Sequence, residues 1–258
     1  MDTLILKLVL TPALIGAASL AGRRWGPSVS GWLVGLPFTS APIVFFLALA
    51  EGSTFARDAA IGTLAGTLSQ AGFCLVYAWL AGRFAWLFSC AASALVFLAA
   101  TAALQALRVP IAILYTVTVL ALVIALLLMP RRKPTEPGAH RLPAWDLPAR
   151  MIIATAFVIA LTAAASALGP HLTGLLAPFP LYAAILTGFA HSQQGGSAAI
   201  GVLRGLLFGL FAFATFFAVL AALIERSGIA LAFAGALVAA LGVQGGSFWL
   251  LRRVAASR

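Results

Sequence analysis

Displaced by 143 positions against itself, the sequence superimposes its own helix breakers. Gly26, Pro27, Gly31, Pro37, Gly52, Gly62 and Gly66 fall on Gly169, Pro170, Gly174, Pro180, Gly195, Gly205 and Gly209. With 24 glycines in 258 residues, chance supplies about one such coincidence over this stretch. No gap is needed, and the flanking charges agree, Lys7 with Arg150 and Arg83 with Arg226. The chain reads as a tandem repeat. What such a repeat can fold into depends on its solvent.

A chain 63% hydrophobic and only 9% charged, with mean hydropathy +1.09, has more apolar surface than a soluble core of this size can hide. The expectation is an all-α polytopic membrane protein. The net charge of +10 would suggest nucleic acid in a soluble domain, but here the bases sit between apolar runs rather than along one face, so nucleic acid is excluded as a partner. Cys74 and Cys90 lie in apolar stretches with no CxxC or Cys/His cluster, which suits packing. Leu4 to Gly22 could be taken for a signal peptide, but Asp2 precedes the run and Arg23 and Arg24 follow it, the wrong charge order. It reads as a spanning helix.

Runs able to cross about 30 Å of hydrocarbon, roughly 20 residues each, occur at 4–22, 27–50, 58–81, 84–107, 109–129, 150–168, 170–190, 198–223 and 228–251. Nine spans divide the Lys and Arg residues four against twelve, the four being Lys7, Arg57, Arg108 and Arg226. Because cytoplasmic ends collect basic residues, the N-terminus is expected outside and the C-terminus in the cytoplasm. Residues 1–107 then form a first membrane repeat, 108–130 a linking helix, 131–148 a flexible cytoplasmic linker rich in Pro and charge, and 149–258 a second repeat. A shift of five spans is odd, so matching helices run in opposite directions. The expected fold is two four-helix inverted-topology repeats plus one linking helix.

The second and seventh spans are each interrupted about ten residues in, at Pro37 and Pro180, which places both prolines near the bilayer midplane. A proline there frees backbone carbonyls at the depth where transporters hold cargo; it is equally an ordinary kink. Thr39, Ser40 and Tyr182 would supply the hydroxyls of such a site. Gly62 with Gly66, and Gly205 with Gly209, lie four apart on one helix face and suit close packing, of the third span on the eighth or of each on its own second or seventh span. His191 and Gln194 close the seventh span, and Gly195-Gly196-Ser197 opens the next with an electropositive helix N-terminus. Arg204 lies two turns deeper, which requires a partner, a ligand or snorkelling to the surface. His191 suits an interfacial position or a proton relay. Glu51 is expected in a surface salt bridge of the short loop that carries Arg57 and Asp58. Gln244 to Ser247 repeats the letters of Gln194 to Ser197 outside the repeat frame and reads as a polar packing seam. No catalytic set, metal cluster or cofactor motif is found, which points away from an enzyme.

The segment `GLLAPFPLYAAILTGFAHSQQGG` followed by `LRGLLFGLFAFATFF` resembles the GlpM-like small bacterial inner-membrane proteins. The matching residues are Gly174, Leu175, Phe179, Pro180, Ala190, His191, Leu203 and Arg204, within roughly residues 150–223. In the first half Ala48 replaces the His and Ile61 replaces the Arg. The resemblance implies a bacterial cytoplasmic (inner) membrane location and brings no activity with it. The expected function is a secondary transporter or exporter of an unidentified small molecule, acting in the lipid bilayer, with self-association as a homodimer left open. The alternative is a non-transporting membrane partner in envelope polysaccharide or lipid metabolism. The topology is checked by cysteine labelling from outside the cell: a Ser53→Cys probe should react and a Thr135→Cys probe should not, and the reverse pattern would remove both the nine-span count and the inverted repeat.

Overall fold

A computed structural model of the chain describes residues 2–37, 40–105, 109–131, 145–156, 159 and 179–256. Regular structure among them is helical throughout, because hydrocarbon offers a backbone amide no partner and a helix satisfies its own. The helices are α1 (Asp2–Trp25), α2 (Pro27–Val34), α3 (Ser40–Glu51), α4 (Ser53–Leu80), α5 (Trp86–Gln105), α6 (Ile111–Leu128), α7 (residues 146–156), α8 (Leu181–Gln194) and α9 (Gly196–Ala256). Among the described residues four stretches are long and apolar enough to cross a membrane: Ser53–Leu80, Trp86–Leu104, Ile111–Leu128 and Gly196–Trp249.

The difference from nine spans has visible causes. The span expected at 27–50 is two helices, α2 and α3, of 8 and 12 residues. They are separated at Gly35-Leu36-Pro37, as the proline there dictates. The spans expected at 198–223 and 228–251 are the two arms of α9, which meet at Gly228, whose φ of 77° and ψ of 169° break the helical path where the sequence placed the joint. Much of the spans expected at 150–168 and 170–190, and most of the expected linker, lie outside the described residues. The end of that linker is not a loop: α7 begins at residue 146.

Glycine placement explains the other joints. Gly52 (φ 93°, ψ 174°) directly precedes α4, and Gly195 (φ 83°, ψ 175°) directly precedes α9. Gly26 and Gly228 share this positive-φ, extended-ψ conformation, which a β-carbon disfavours, and Gly52 and Gly195 each turn the chain sharply between two helices.

The first arm of α9 is the central post of the molecule. From Ala198 to Ala221 every residue is buried except the half-buried Phe211 and Val219, as expected of a helix apolar on all sides. On one side it takes α2 at backbone contact. A β-carbon on Gly31 would collide with the Val202 carbonyl, and one on Gly205 with the Ser28 carbonyl, while Gly35 and Gly209 face each other. Gly205 and Gly209 thus pack on the second span, not on the third or the seventh. Gly66 is buried in α4, whereas Gly62 is exposed.

Contacts at the second arm of α9 complete this joint. Trp32 of α2 donates its indole N–H to Ser247 Oγ at 3.0 Å, and Gln244 Nε2 donates to the Trp32 carbonyl at 3.2 Å. The Gln244 to Ser247 seam therefore holds α2 in place. A methyl group at residue 205 has nowhere to go, so Gly205→Ala should lower stability by about 1–3 kcal/mol. Gly242→Ala, where an added β-carbon meets nothing within 4 Å, should cost nothing. Thermal unfolding of both variants in detergent checks this; equal midpoints would mean that the α2–α9 contact is not sterically limiting.

Candidate functional site

The break between α2 and α3 opens a cavity of about 200 Å³. Leu14, Ala17 and Ala18 of α1 line it, with Leu33 and Val34 at the end of α2, Leu36 of the break, and Tyr182 in the first turn of α8. Six of these seven side chains are hydrocarbon. The Tyr182 hydroxyl is hydrogen-bonded to Thr11 Oγ1 of α1 at 2.9 Å, in an orientation where either can donate. Pro37 is buried beside Leu36 and its carbonyl accepts from Ala41 N at 2.9 Å, which starts α3. One of the carbonyls at the break is thereby satisfied within the chain.

Pro180, which the repeat equates with Pro37, centres a tight turn. Its φ of −77° and ψ of 59°, with Leu181 N donating to the Phe179 carbonyl at 2.8 Å, make an inverse γ-turn. Phe179 anchors the turn by presenting its ring edge-to-face to Phe73 of α4 (centroids 6.1 Å apart) and Phe97 of α5 (5.4 Å). That anchor sets where α8 begins, and so where Tyr182 meets α1.

The remaining residues singled out from sequence lie elsewhere. Ser40 is the half-buried first residue of α3, and Thr39 is outside the described residues. His191 Nδ1 lies 3.3 Å from the Tyr77 hydroxyl, an interhelical contact of α8 with α4. Gln194 is the half-buried last residue of α8, twelve residues or about 18 Å beyond Tyr182. Arg204 is buried, and its guanidinium donates to the Pro130 carbonyl at 3.1 Å, just past the C-terminal end of α6. A cation at that helix end also meets the negative pole of the α6 dipole. The loop acid Glu51 is exposed, and Arg57 pairs instead with Glu225 at 3.5 Å. The structure thus gathers Tyr182 and the Pro37 break into one cavity and places His191, Gln194 and Arg204 outside its lining. Among the described residues no three His, Cys, Asp or Glu side chains converge as metal ligands.

Sequence reading missed a second polar centre. Asp146, whose side chain is fully buried, receives Arg23 Nη2 at 2.9 Å, Arg150 Nε at 3.0 Å and Gln193 Nε2 at 2.6 Å. Arg150 also lies over the Phe189 ring, 5.0 Å from its centroid. The cluster joins the end of α1, the start of α7 and the end of α8. A signal was present: with six acids against sixteen bases, a carboxylate four residues before an arginine at the mouth of an apolar run is a scarce counter-ion. Burial pushes the Asp146 pKa up, but the hydrogen bonds from Arg150, Arg23 and Gln193 outweigh it, and the net shift is downward.

No protein-family model, curated protein or solved structure matches the chain.

Because folding lowers the Asp146 pKa, its stabilising contribution is complete above the unfolded carboxylate value of about 3.9. It is lost as pH falls through the still lower folded value. Removing one member of a buried pair strands the others, so Asp146→Ala should cost about 3–5 kcal/mol at pH 7. It should also flatten the acid limb of stability below pH about 4. Midpoints of thermal unfolding between pH 7 and 3 test both, and a variant as stable as the wild type at pH 7 would show the cluster to be energetically idle.

Proposed function

We propose that the chain is a secondary transporter or exporter of a small molecule in the bacterial inner membrane, related to the GlpM-like proteins and built as two inverted-topology repeats. The observation that carries this reading is the cavity at the α2–α3 break, bounded by α1 and α2 from one half and by Tyr182 from the other. A broken helix facing its counterpart at mid-membrane is the recurring plan of inverted-repeat carriers.

The ionic contacts fit a molecule with two polar ends. The Arg57–Glu225 pair sits near the start of α4, and His191, two residues from the Asp146 ligand Gln193, touches Tyr77 near its end. The rise from Arg57 to Tyr77 is about 30 Å, the hydrocarbon thickness of a bilayer. On this reading the Asp146 end faces the cytoplasm and the Arg57 end faces outside. Arg23 lies five residues past Ala18 of the cavity wall, so the Asp146 cluster clamps α1 of the first half to α7 and α8 of the second on the cytoplasmic side of the cavity. Release of that clamp would open the cavity to the cytoplasm, and its closure would commit the cargo to the other side.

Alternating exposure tests the reading without knowledge of the cargo. In a background with Cys74→Ala and Cys90→Ala, an Ala17→Cys probe should react with an impermeant maleimide in right-side-out and in inverted vesicles. Adding Asp146→Ala should raise the cytoplasmic rate several-fold. Reaction from one side only, unchanged by Asp146→Ala, would mark a static membrane partner protein instead.

A further inference from the structure

The segments around the cavity bring no charge to it. Residues 8–22, 25–50 and 151–203, which include α2, α8 and all but the ends of α1 and α3, contain no Asp, Glu, Lys or Arg. An ion brought to this depth would lose its hydration with no formal counter-charge from these segments, and even the mildest scale makes that cost large. The lining selects for hydrocarbon: Leu14, Ala17, Leu33, Val34 and Leu36 present only methyl and methylene groups.

Size and polarity narrow the class further. A dry cavity of about 150 Å³ accepts benzene, and this one is about 200 Å³, room for a ring with one or two substituents. The polar group among its lining side chains is the hydroxyl of Tyr182, which is hydrogen-bonded to Thr11, itself buried and not part of the lining. A phenol hydroxyl both donates and accepts, so the Tyr182 hydroxyl can hold Thr11 with one of these and offer the other to a guest. A guest with one hydroxyl or carbonyl group can engage it, while a guest with many polar groups, such as a sugar, would leave most of them unsatisfied.

We infer that the cavity binds an uncharged, mainly apolar molecule the size of a substituted benzene ring, oriented by one hydrogen bond to the Tyr182 hydroxyl. This names the cargo class of the transport reading and rests on it. The Ala17 position, exposed at the edge of the lining, is where such a guest would pass.

Purified protein in lipid nanodiscs is titrated with 4-fluorophenol, fluorobenzene and 4-fluorobenzoate, and the bound signal is followed by fluorine NMR against empty nanodiscs. Fluorophenol should saturate, fluorobenzene should bind about 5- to 10-fold more weakly for want of one hydrogen bond, and fluorobenzoate should not bind. Tyr182→Phe should bring fluorophenol down toward the fluorobenzene affinity and leave fluorobenzene unchanged, a difference that a general loss of structure would not produce. Ala17→Phe should abolish both, and Tyr182→Phe decides alone if that variant does not fold. Saturable fluorobenzoate binding, fluorophenol binding undiminished by Ala17→Phe, or a retained lipid in native mass spectra with no fluorophenol binding would each overturn the inference. Labelling of Ala17→Cys from both sides with no fluorophenol binding would sink the cargo class and keep transport; fluorophenol binding with labelling from one side would do the opposite.

Discussion

Backbone contact between α2 and the first arm of α9 governs the rest of the architecture. Gly31 and Gly35 on one helix meet Gly205 and Gly209 on the other with no side chain between them. In hydrocarbon, apolar side chains gain nothing by leaving lipid, so close approach of backbones and the dispersion contacts it permits must hold helices together. Once α2 is seated, Trp32 reaches Gln244 and Ser247 on the second arm. The C-terminal end of α2 then stops beside α1, and the break at Pro37 falls next to Tyr182. The cavity is the space left where a short helix ends against a buried post.

Polar interactions follow the same economy. The strongest cluster lies at the helix ends, where α1, α7 and α8 share Asp146. Several buried hydroxyls bond to each other or back to their own helix, as Thr101 does to Ser69, Tyr115 to Thr215, and Thr118 to the Leu114 carbonyl, while Ser19 Oγ and Thr187 Oγ1 are buried without such a bond. Each bond satisfies a group that lipid could not. Arg204 is the exception by depth and resolves the problem in the same way, with a backbone carbonyl at the end of α6 as its partner. That contact fastens α6 to the central post.

A cavity in such a setting inherits the chemistry of its walls. Around the cavity the charged residues of α1 and α3 lie toward the helix ends, and the walls are apolar apart from the Tyr182 hydroxyl. The Asp146 cluster lies five residues along α1 from Ala18 of the cavity wall, so the ionic contacts and the apolar lining are separate. A ligand that favours the closed arrangement would act on the cluster only through the positions of α1 and α8.

The sequence by itself determined where the chain is helical and where it breaks. The apolar runs, the interruption at Gly35 to Pro37, the proline turn at Pro180 and the glycine joints at Gly52 and Gly195 all follow from local backbone preference, which neighbouring residues reveal. It also singled out Tyr182 through the matched prolines, and Tyr182 lines the cavity at the Pro37 break. Only the tertiary structure decided which distant groups meet. Tyr182 finds Thr11 across 171 positions, Arg23 finds Asp146 across 123, and Gly205 packs on α2 rather than on a helix of its own half. Arg204, read from sequence as a candidate ligand-binding group, holds the end of α6. Such pairings depend on how whole helices cross, and a helix face reads the same in sequence whichever neighbour finally covers it.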